Sequence, residues 1–145
     1  MIEFYTEDID YTLPQAEQIE SWLQAIAKRE GHSIEALSFI FCSDAYLLPM
    51  NQEYLQHDTL TDVITFQYQE EGEPVSGDIF ISVERCRENA EKFEVSAQNE
   101  IHRVMAHGLL HLLGYKDKSK EDAELMREKE NDALSLLDQY ANSDA

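Results

Sequence analysis

The stretch VITFQYQEEGEPVSGDIFISV, residues 63–83, decides the fold of this chain. Two segments rich in β-branched and aromatic residues, VITFQY (63–68) and DIFISV (78–83), are separated by the polar run EEGEP (70–74). Such segments favour strands, and a short polar connection with Gly and Pro favours a turn. The stretch therefore predicts a β-hairpin near the middle of the chain.

The residues before the hairpin predict two more strands. IEFYT (2–6) alternates between apolar and polar residues, which is typical of a strand, and LSFIFCS (37–43) is an apolar, aromatic-rich run typical of a buried one. Between them, Pro14 suits the first turn of a helix that runs to about Arg29. The first half of the chain is thus expected to be strand, helix, strand.

The other segments have helical patterns. Four further helices are predicted: from the N-cap Asp44 to about Tyr54, from Glu84 onward, from the N-cap Ser96 through Leu113, and from about Ser119 to Tyr140. This order of elements predicts an α/β (α+β) fold with a small four-stranded mixed sheet covered by about five helices. The length predicts a single domain over residues 1–145.

The chain is strongly acidic. Its 145 residues include 30 Asp and Glu against 11 Lys and Arg, a formal charge of -19, and residues 1–84 hold 17 of the acids but only two of the bases. Nucleic-acid phosphates are bound mainly by Lys and Arg, so this composition excludes a uniformly basic binding surface and requires a local basic patch. Lys116 and Lys118 are the candidates for substrate binding, and solvated surface charge is the alternative.

The N-terminal residues and the length of the apolar runs predict the cellular location of the protein. No apolar run approaches the roughly 20 residues needed to cross a bilayer. The opening MIEFYTED (1–8) is acidic, whereas a signal peptide begins with basic residues. We therefore expect a cytoplasmic protein that does not enter a membrane.

The segment HGLLHLLGYKD (107–117) carries the chemistry. A separation of four residues places His107 and His111 on one face of a helix, with Cβ atoms about 5–6 Å apart. Gly114 can take the left-handed conformation that ends a helix, so that Asp117 can fold back toward both imidazoles. Two imidazoles and one carboxylate, with a fourth position for water, form a common type of catalytic zinc site. The sequence thus predicts a metal site at the end of a core helix.

The same spacing of ligands occurs in the metzincin proteases. In those enzymes the residue after the first His is a Glu that acts as general base, whereas this chain has Gly108. Glycine accepts no proton, and inside a helix it is less stable than Ala by roughly 0.5–1 kcal/mol. Gly108 therefore weakens a protease interpretation and indicates a close approach of another group to the helix backbone.

Several segments resemble the YbeY family of bacterial metal-dependent endoribonucleases. HGLLHLLGY (107–115) is similar to the metal-binding pattern of that family, in which a third ligand follows the glycine by three residues. TDVITF (61–66) and GDIFIS (77–82) resemble its two strand motifs, and Asn51 and Tyr54 match the helix before them.

The resemblance runs from about residue 40 to residue 130 and has several implications. It implies a small mixed sheet with surrounding helices and single-strand-specific cleavage of RNA. It assigns His107, His111 and position 117 as ligands of one Zn²⁺ ion. It also implies a role in ribosomal RNA maturation and ribosome quality control, so that ribosomal RNA, the ribosome and its associated proteins are the expected partners.

Two positions depart from the family pattern. Position 117 is usually His, whereas here Asp117 follows Lys116; a carboxylate favours harder ions, so Mn²⁺ or another divalent ion is an alternative to Zn²⁺. Leu55 stands where the family usually has an Arg, a residue able to bind a phosphate. His57 and Arg103 are candidate replacements for that lost charge, with a plain surface role as the alternative for each.

One more residue on the predicted core helix is a candidate for catalysis. Glu100 lies two turns before His107 on the same face and could act as a base through water, with a solvated acid as the alternative. Glu100 and Arg103 are thus the predicted catalytic pair. The spacing leaves open whether His102 faces the same cleft.

Two other functions are compatible with the sequence. A metallopeptidase-like hydrolase is suggested by the ligand spacing and weakened by Gly108. A non-catalytic ribosome-assembly factor with a structural metal is suggested by Leu55 and by the acidic first half.

Overall fold

The hairpin predicted from residues 63–83 is confirmed. The computed structural model describes residues 1–54 and 61–141. Within these residues the elements are β1 (Ile2–Glu7), α1 (Ala16–Arg29), β2 (Ile34–Cys42), α2 (Asp44–Tyr54), β3 (Val63–Gln67), β4 (Val75–Ser82), α3 (Val83–Phe93), α4 (Ala97–Leu112) and α5 (Lys120–Ala141). Strands β3 and β4 are antiparallel, with Val63 opposite Ile81 and Gln67 opposite Gly77.

The four described strands form one mixed sheet in the order β1-β2-β4-β3. Strands β1, β2 and β4 are parallel, and β3 is the antiparallel edge strand. Helix α1 connects the parallel neighbours β1 and β2, as a crossover must. The predicted fold class, a small four-stranded mixed sheet with about five helices, is therefore confirmed.

Helix α4 is the central helix of the fold. It packs against β3 and β4 on one side and against α3 and α5 on others. Its inward side chains include Ile101, Met105 and Leu109, each of which is at most 1% exposed. Burying such side chains contributes about 1.5–3 kcal/mol each, so the packed side of α4 fixes its position against the sheet.

A buried hydrogen bond connects the two helices that cover α4. The Trp22 indole of α1 donates to the Ala133 carbonyl of α5 at 2.7 Å, and Trp22 is fully buried. This bond satisfies the polar tip of an otherwise apolar side chain in the core. It holds the middle of α5 in place, which matters because α5 supplies residues to the site described below.

The caps of two helices differ from the prediction. Asp44 is not the N-cap of α2, because the Ser43 hydroxyl accepts the Tyr46 N–H at 3.0 Å. The Asp44 carboxylate instead accepts from Ser82 at 2.7 Å and from Arg85 at 3.0 Å. Ser82 in turn caps α3, which begins at Val83 and shortens the predicted fourth strand by one residue.

The starts of α1 and β4 also differ from the prediction. Pro14 precedes α1 and is outside its first turn, since Gln15 has a left-handed φ of 54° and the helix begins at Ala16. Strand β4 begins at Val75, three residues before the predicted start, because residues 75–77 pair with β2. Pairing with a neighbouring strand extended this element beyond its apolar run.

Candidate metal centre

The end of α4 brings the predicted ligands together. Ser96 caps the helix as predicted, because its hydroxyl accepts the Asn99 N–H at 3.0 Å. Past the last turn Gly114 has φ 107°, which an L side chain rarely adopts, and its N–H donates to the His111 carbonyl at 3.0 Å. The chain reverses there and returns Asp117 to the helix face that carries His107 and His111.

The three side chains meet at one carboxylate oxygen. The Nε2 atoms of His107 and His111 each lie 3.3 Å from Oδ2 of Asp117. The two imidazole rings are 4.5 Å apart at their centroids and nearly perpendicular, at 81°. All three potential ligand atoms lie within 4.8 Å of one another.

These distances suit a shared metal ion. Zinc bonds of about 2.0–2.1 Å in a tetrahedral arrangement place neighbouring ligand atoms about 3.3 Å apart. Both nitrogen-to-oxygen distances have that value. The donor set of two neutral nitrogens and one anionic oxygen is also one that divalent ions accept. The residues therefore fit a metal.

The outer nitrogen of each imidazole is held by an oxygen acceptor. His107 Nδ1 donates to Oε2 of Glu130 at 2.7 Å, and His111 Nδ1 donates to the Tyr115 carbonyl at 3.0 Å. A carbonyl oxygen only accepts, so the proton of His111 must be on Nδ1. In the neutral imidazoles with the proton on Nδ1, each Nε2 lone pair is directed at the cluster, which is the arrangement found around bound metals.

Glu130 is held in place by a second partner. Its Oε1 accepts from the Arg103 guanidinium at 2.9 Å, and Arg103 also donates to Oδ1 of Asn131 at 2.8 Å. Burial alone would raise the pKa of Glu130, but the hydrogen bonds and charges of His107 and Arg103 bring it below its ordinary value. Burial alone would lower the pKa of His107, but Glu130, Asp117 and Asp62 raise it. The pair is thus an ionised carboxylate beside a well-oriented imidazole.

The turn that carries Asp117 is fixed by contacts outside the cluster. The Tyr115 hydroxyl donates to Glu30, the C-cap residue of α1, and Lys129 of α5 donates to the same carboxylate at 3.2 Å. The Lys129 ammonium also lies 5.5 Å from the centre of the Tyr115 ring. Because both helices are anchored in the core, these contacts restrain the loop from which Asp117 projects.

A cleft of about 330 Å³ opens beside the cluster. It lies between α3, α4 and α5, and His107 and Asp117 form part of its wall. Glu100 and Asp62 line it as well, together with the exposed side chains of Phe93 and Arg127. The potential metal ligands are therefore accessible from a pocket large enough for part of a ligand.

Comparison with known proteins decides the family. The model of the family described as "Endoribonuclease YbeY" matches residues 1–138. The chain belongs to the YbeY family. An "Endoribonuclease YbeY" of Cytophaga hutchinsonii is 51% identical over 93% of this chain and 94% of its own length. A Flavobacterium johnsoniae protein of the same name is 48% identical over 94% of this chain and 97% of its own.

A solved structure supports the fold of this YbeY member. The chain is similar to the solution structure of the protein TM1509 from Thermotoga maritima, with a TM-score of 0.68 and 26% sequence identity. That similarity covers 99% of this chain and 93% of the other. The resemblance identified from the motifs at residues 61–66, 77–82 and 107–115 is thus confirmed, and it extends over nearly the whole chain.

The two predicted catalytic residues, Glu100 and Arg103, line the cleft beside the cluster. Glu100 faces the cleft but is 5% exposed, and burial, with the charge of Asp62, raises its pKa. Arg103 faces the same cleft, with its guanidinium engaged by Glu130 and Asn131. The catalytic roles predicted for Glu100 and Arg103 remain predictions.

The predicted substrate-binding residues lie next to the third potential ligand. Lys116 and Lys118 are exposed on either side of Asp117, in the loop between α4 and α5. His57, and with it Leu55 at the position of the usual YbeY arginine, lies outside the described residues. No described helix is both long and apolar enough to span a membrane.

Two features of the site were missed or left open by the sequence. Glu130, the partner of His107, lies 23 residues further along the chain on another helix, and no local pattern distinguishes it from the other acids of α5. His102 is on the packed side of α4, with its ring 5.9 Å from that of Trp22 and its Nε2 3.0 Å from the Gln98 amide. It does not contribute to the cluster.

The close approach predicted at Gly108 is made by the sheet. A Cβ atom at this position would lie 2.9 Å from Cγ2 and 3.1 Å from Cδ1 of Ile79. The packing of α4 on β4 disfavours any side chain at this position, and one as long as the Glu of the protease motif would have to displace Ile79.

Proposed function

We propose that this YbeY chain is a metal-dependent endoribonuclease that hydrolyses single-stranded regions of ribosomal RNA during ribosome maturation. Family membership supports the endoribonuclease activity. The observation that carries the mechanism is the convergence of both Nε2 atoms on Oδ2 of Asp117 at 3.3 Å. His107, His111 and Asp117 would hold one divalent ion per chain.

The chain's own residues orient the ligands and the substrate. When bound, the ion supplies Lewis-acid chemistry, polarising a phosphate oxygen and making water a better nucleophile at neutral pH. Glu130 orients His107 through its hydrogen bond to Nδ1, and Arg103 keeps Glu130 ionised and in position. Glu100 is the proposed general base, because it faces the cleft on the same side of α4 as His107.

Zinc is the proposed ion. Two imidazole nitrogens, each 3.3 Å from one carboxylate oxygen, provide the donor set of a common catalytic zinc environment. The carboxylate of Asp117 makes this site harder than one with three imidazoles, which supports Mn²⁺ or another divalent ion as the alternative.

The proposed substrate and surroundings follow from the position of the basic residues. Lys116 and Lys118 flank Asp117 and would contact RNA phosphates close to the metal. His57 stays a proposed substrate contact. We also propose that the chain acts as a single domain in the cytoplasm, with ribosome-associated proteins as its partners.

The alternative functions are not favoured. A metallopeptidase would need a general base after the first ligand, and Ile79 blocks a side chain at Gly108. A structural metal in a non-catalytic assembly factor does not account for an accessible cleft beside the cluster. The relatives named as endoribonucleases also support the hydrolase.

Elemental analysis combined with an RNA cleavage assay tests this proposal. We expect about one zinc or manganese ion per chain and cleavage of single-stranded ribosomal RNA segments that a chelator abolishes. His111→Ala, purified in parallel, controls for contaminating nucleases and should show neither. Stoichiometric metal without cleavage of any RNA by the native protein would refute the nuclease assignment.

Asp117→His tests whether residue 117 is a ligand. Imidazole takes up a proton near pH 6.5, whereas carboxylates do so near pH 4. We expect the variant to bind the ion at neutral pH but to release it at a higher pH than the native protein during acid titration. Asp122→His, in the first turn of α5, is the control and should leave the release profile unchanged.

A further inference from the structure

The cleft beside the cluster has an exposed aromatic side chain at its rim. Phe93, the last residue of α3, lines the cleft and is 57% exposed. The exposed part of this phenyl ring stays in contact with water in the folded protein, so it contributes no hydrophobic free energy to folding. Exposed aromatic rings in clefts are typical of sites where a flat, apolar group stacks during binding.

The same cleft contains a cation that the ligand cluster does not use. Of its two guanidinium groups, that of Arg103 is engaged by Glu130 and Asn131. Arg127, on α5, is exposed and forms no ion pair within 4 Å among the described residues, although its charge acts on Glu100 and opposes the rise of the Glu100 pKa on burial. Arg127 is thus the cleft's available cation for an external anion, and it offers the planar fork that suits a phosphate.

The negative groups of the cleft do not prevent an anion from binding there. Glu130 is paired with the Arg103 guanidinium and accepts a hydrogen bond from His107, and Asp117 is directed at the two imidazoles. Asp62 and Glu100 remain, on the deeper part of the wall, and Glu100 is almost fully buried. The exposed part of the cleft therefore presents Phe93 and Arg127 to solvent, next to Asp117, whose carboxylate faces the ligand cluster.

We propose that this cleft is a nucleotide subsite in which Phe93 stacks on one base of the RNA and Arg127 binds an adjacent phosphate. The volume of about 330 Å³ is enough for one nucleotide. The inference rests on the proposed function and deepens it, because it names the groups that select unpaired RNA.

The test uses short single-stranded RNAs in which one nucleotide at a time lacks its base. With the native protein we expect one position next to the scissile bond at which loss of the base raises KM about 10-fold, the usual value of one stacked base. Phe93→Ala should raise KM on intact RNA by a similar factor. In this variant, removal of the base at the sensitive position should cause no further increase in KM. Phe93→Trp should restore both properties, and Phe93→Leu should not.

Arg127→Gln is tested by equilibrium binding of the same RNA in the presence of a chelator, which needs no cleavage. Loss of one phosphate contact should weaken binding about 5-fold and reduce the slope of log K against log salt by about 0.7. Arg29→Gln on α1 removes the same charge far from the cleft and is the matched control.

The outcomes separate this inference from the proposed function. The stacking site alone would be overturned if the native protein cuts RNA and the loss of each base changes KM by the same factor in Phe93→Ala as in the native protein. Equal salt slopes for Arg127→Gln and Arg29→Gln would overturn the phosphate contact. Absence of cleavage by the native protein would instead refute the nuclease assignment, and the chelated binding assay would still decide the subsite.

Discussion

The two sides of α4 carry the same residue type in opposite environments. On the cleft side, His107 and His111 have their Nδ1 atoms held by Glu130 and the Tyr115 carbonyl, and their Nε2 atoms meet at Asp117. On the packed side, His102 lies edge-on to Trp22 beside the Gln98 amide, where burial lowers its pKa to about 4.

The difference shows what makes an imidazole a potential ligand. All three rings lie on one helix within ten residues, so helix propensity and composition do not separate them. On the cleft side, an oxygen atom accepts a hydrogen bond from each Nδ1. Oδ2 of Asp117 also lies 3.3 Å from each Nε2, which is the separation of two ligands in a tetrahedral metal site. The packed side provides an apolar ring and an amide, which favour a neutral imidazole that stays in the core. The predictions below test this distinction.

Removal of a ring from each side should produce the largest contrast. His107→Ala or His111→Ala should abolish stoichiometric metal and lower RNA cleavage by more than about 100-fold, because two remaining ligands hold a divalent ion poorly. His102→Asn should retain both the ion and the activity, although with lower stability. Elemental analysis and cleavage rates on the same preparations are the measurement, and loss of metal from folded His102→Asn would contradict the division.

The second prediction concerns the orientation of His107. Glu130→Gln keeps the shape of the side chain but removes the charge that faces Nδ1 of His107, and we expect metal affinity to fall by about 10- to 100-fold. Glu128→Gln, on the exposed side of α5, removes the same charge and should leave affinity within about 2-fold. Competition with a chromogenic chelator gives the two affinities, and equal values for the two variants would exclude an orienting role.

The grouping of His107, His111 and Asp117 was predictable because the information for it is local. The spacing of His107, His111 and Gly114 lies within one helix and its end, and the left-handed glycine returns Asp117 to the same face. The hairpin was predictable for the same reason, since alternation and turn chemistry act over a few residues. Pairing with β2 then extended β4 to Val75, which the apolar pattern alone does not indicate.

What the sequence could not provide depends on contacts between distant elements. Glu130 becomes the partner of His107 only because Trp22 and the core hold α5 beside α4. Asp44 has the composition of an N-cap, yet its carboxylate is used by Ser82 and Arg85 of another helix. Gly108 indicated a close approach correctly, but the identity of Ile79 as the neighbour required the packing of the sheet.

The third prediction is a pH dependence of stability that arises on the packed side. His102 has a folded-state pKa of about 4, whereas an unfolded imidazole has one near 6.5, so the unfolded chain binds more protons between these values. The free energy of unfolding should therefore decrease by about 2 kcal/mol through this residue as pH falls from 6.5 to 4.5. It should not change through His102 above pH 7.

Chemical denaturation of the metal-free protein at several pH values measures this effect. The decrease between pH 6.5 and 4.5 should be smaller in His102→Gln by about 2 kcal/mol than in the native protein. His32→Gln, between α1 and β2, is the matched imidazole control. An unchanged pH dependence in His102→Gln would mean that His102 is protonated in the folded state, and the contrast between the two sides of α4 would be lost.

The smallest effect is expected from Gly108, where the packed side meets the sheet. Gly108→Ala places a methyl group 2.9 Å from Cγ2 of Ile79, a β-branched side chain with little freedom to move. Overpacking of this kind costs about 1–3 kcal/mol, and the better helix propensity of Ala offsets about 0.5–1 kcal/mol, so a net loss of about 1 kcal/mol is expected. Ile79→Ala removes both Cγ2 and Cδ1, so in that background the further loss caused by Gly108→Ala should largely disappear. Because neither side chain reaches the ligands, metal content should remain at the native value in both backgrounds, and a fall in metal content without a fall in stability would show that the two sides of α4 are not independent.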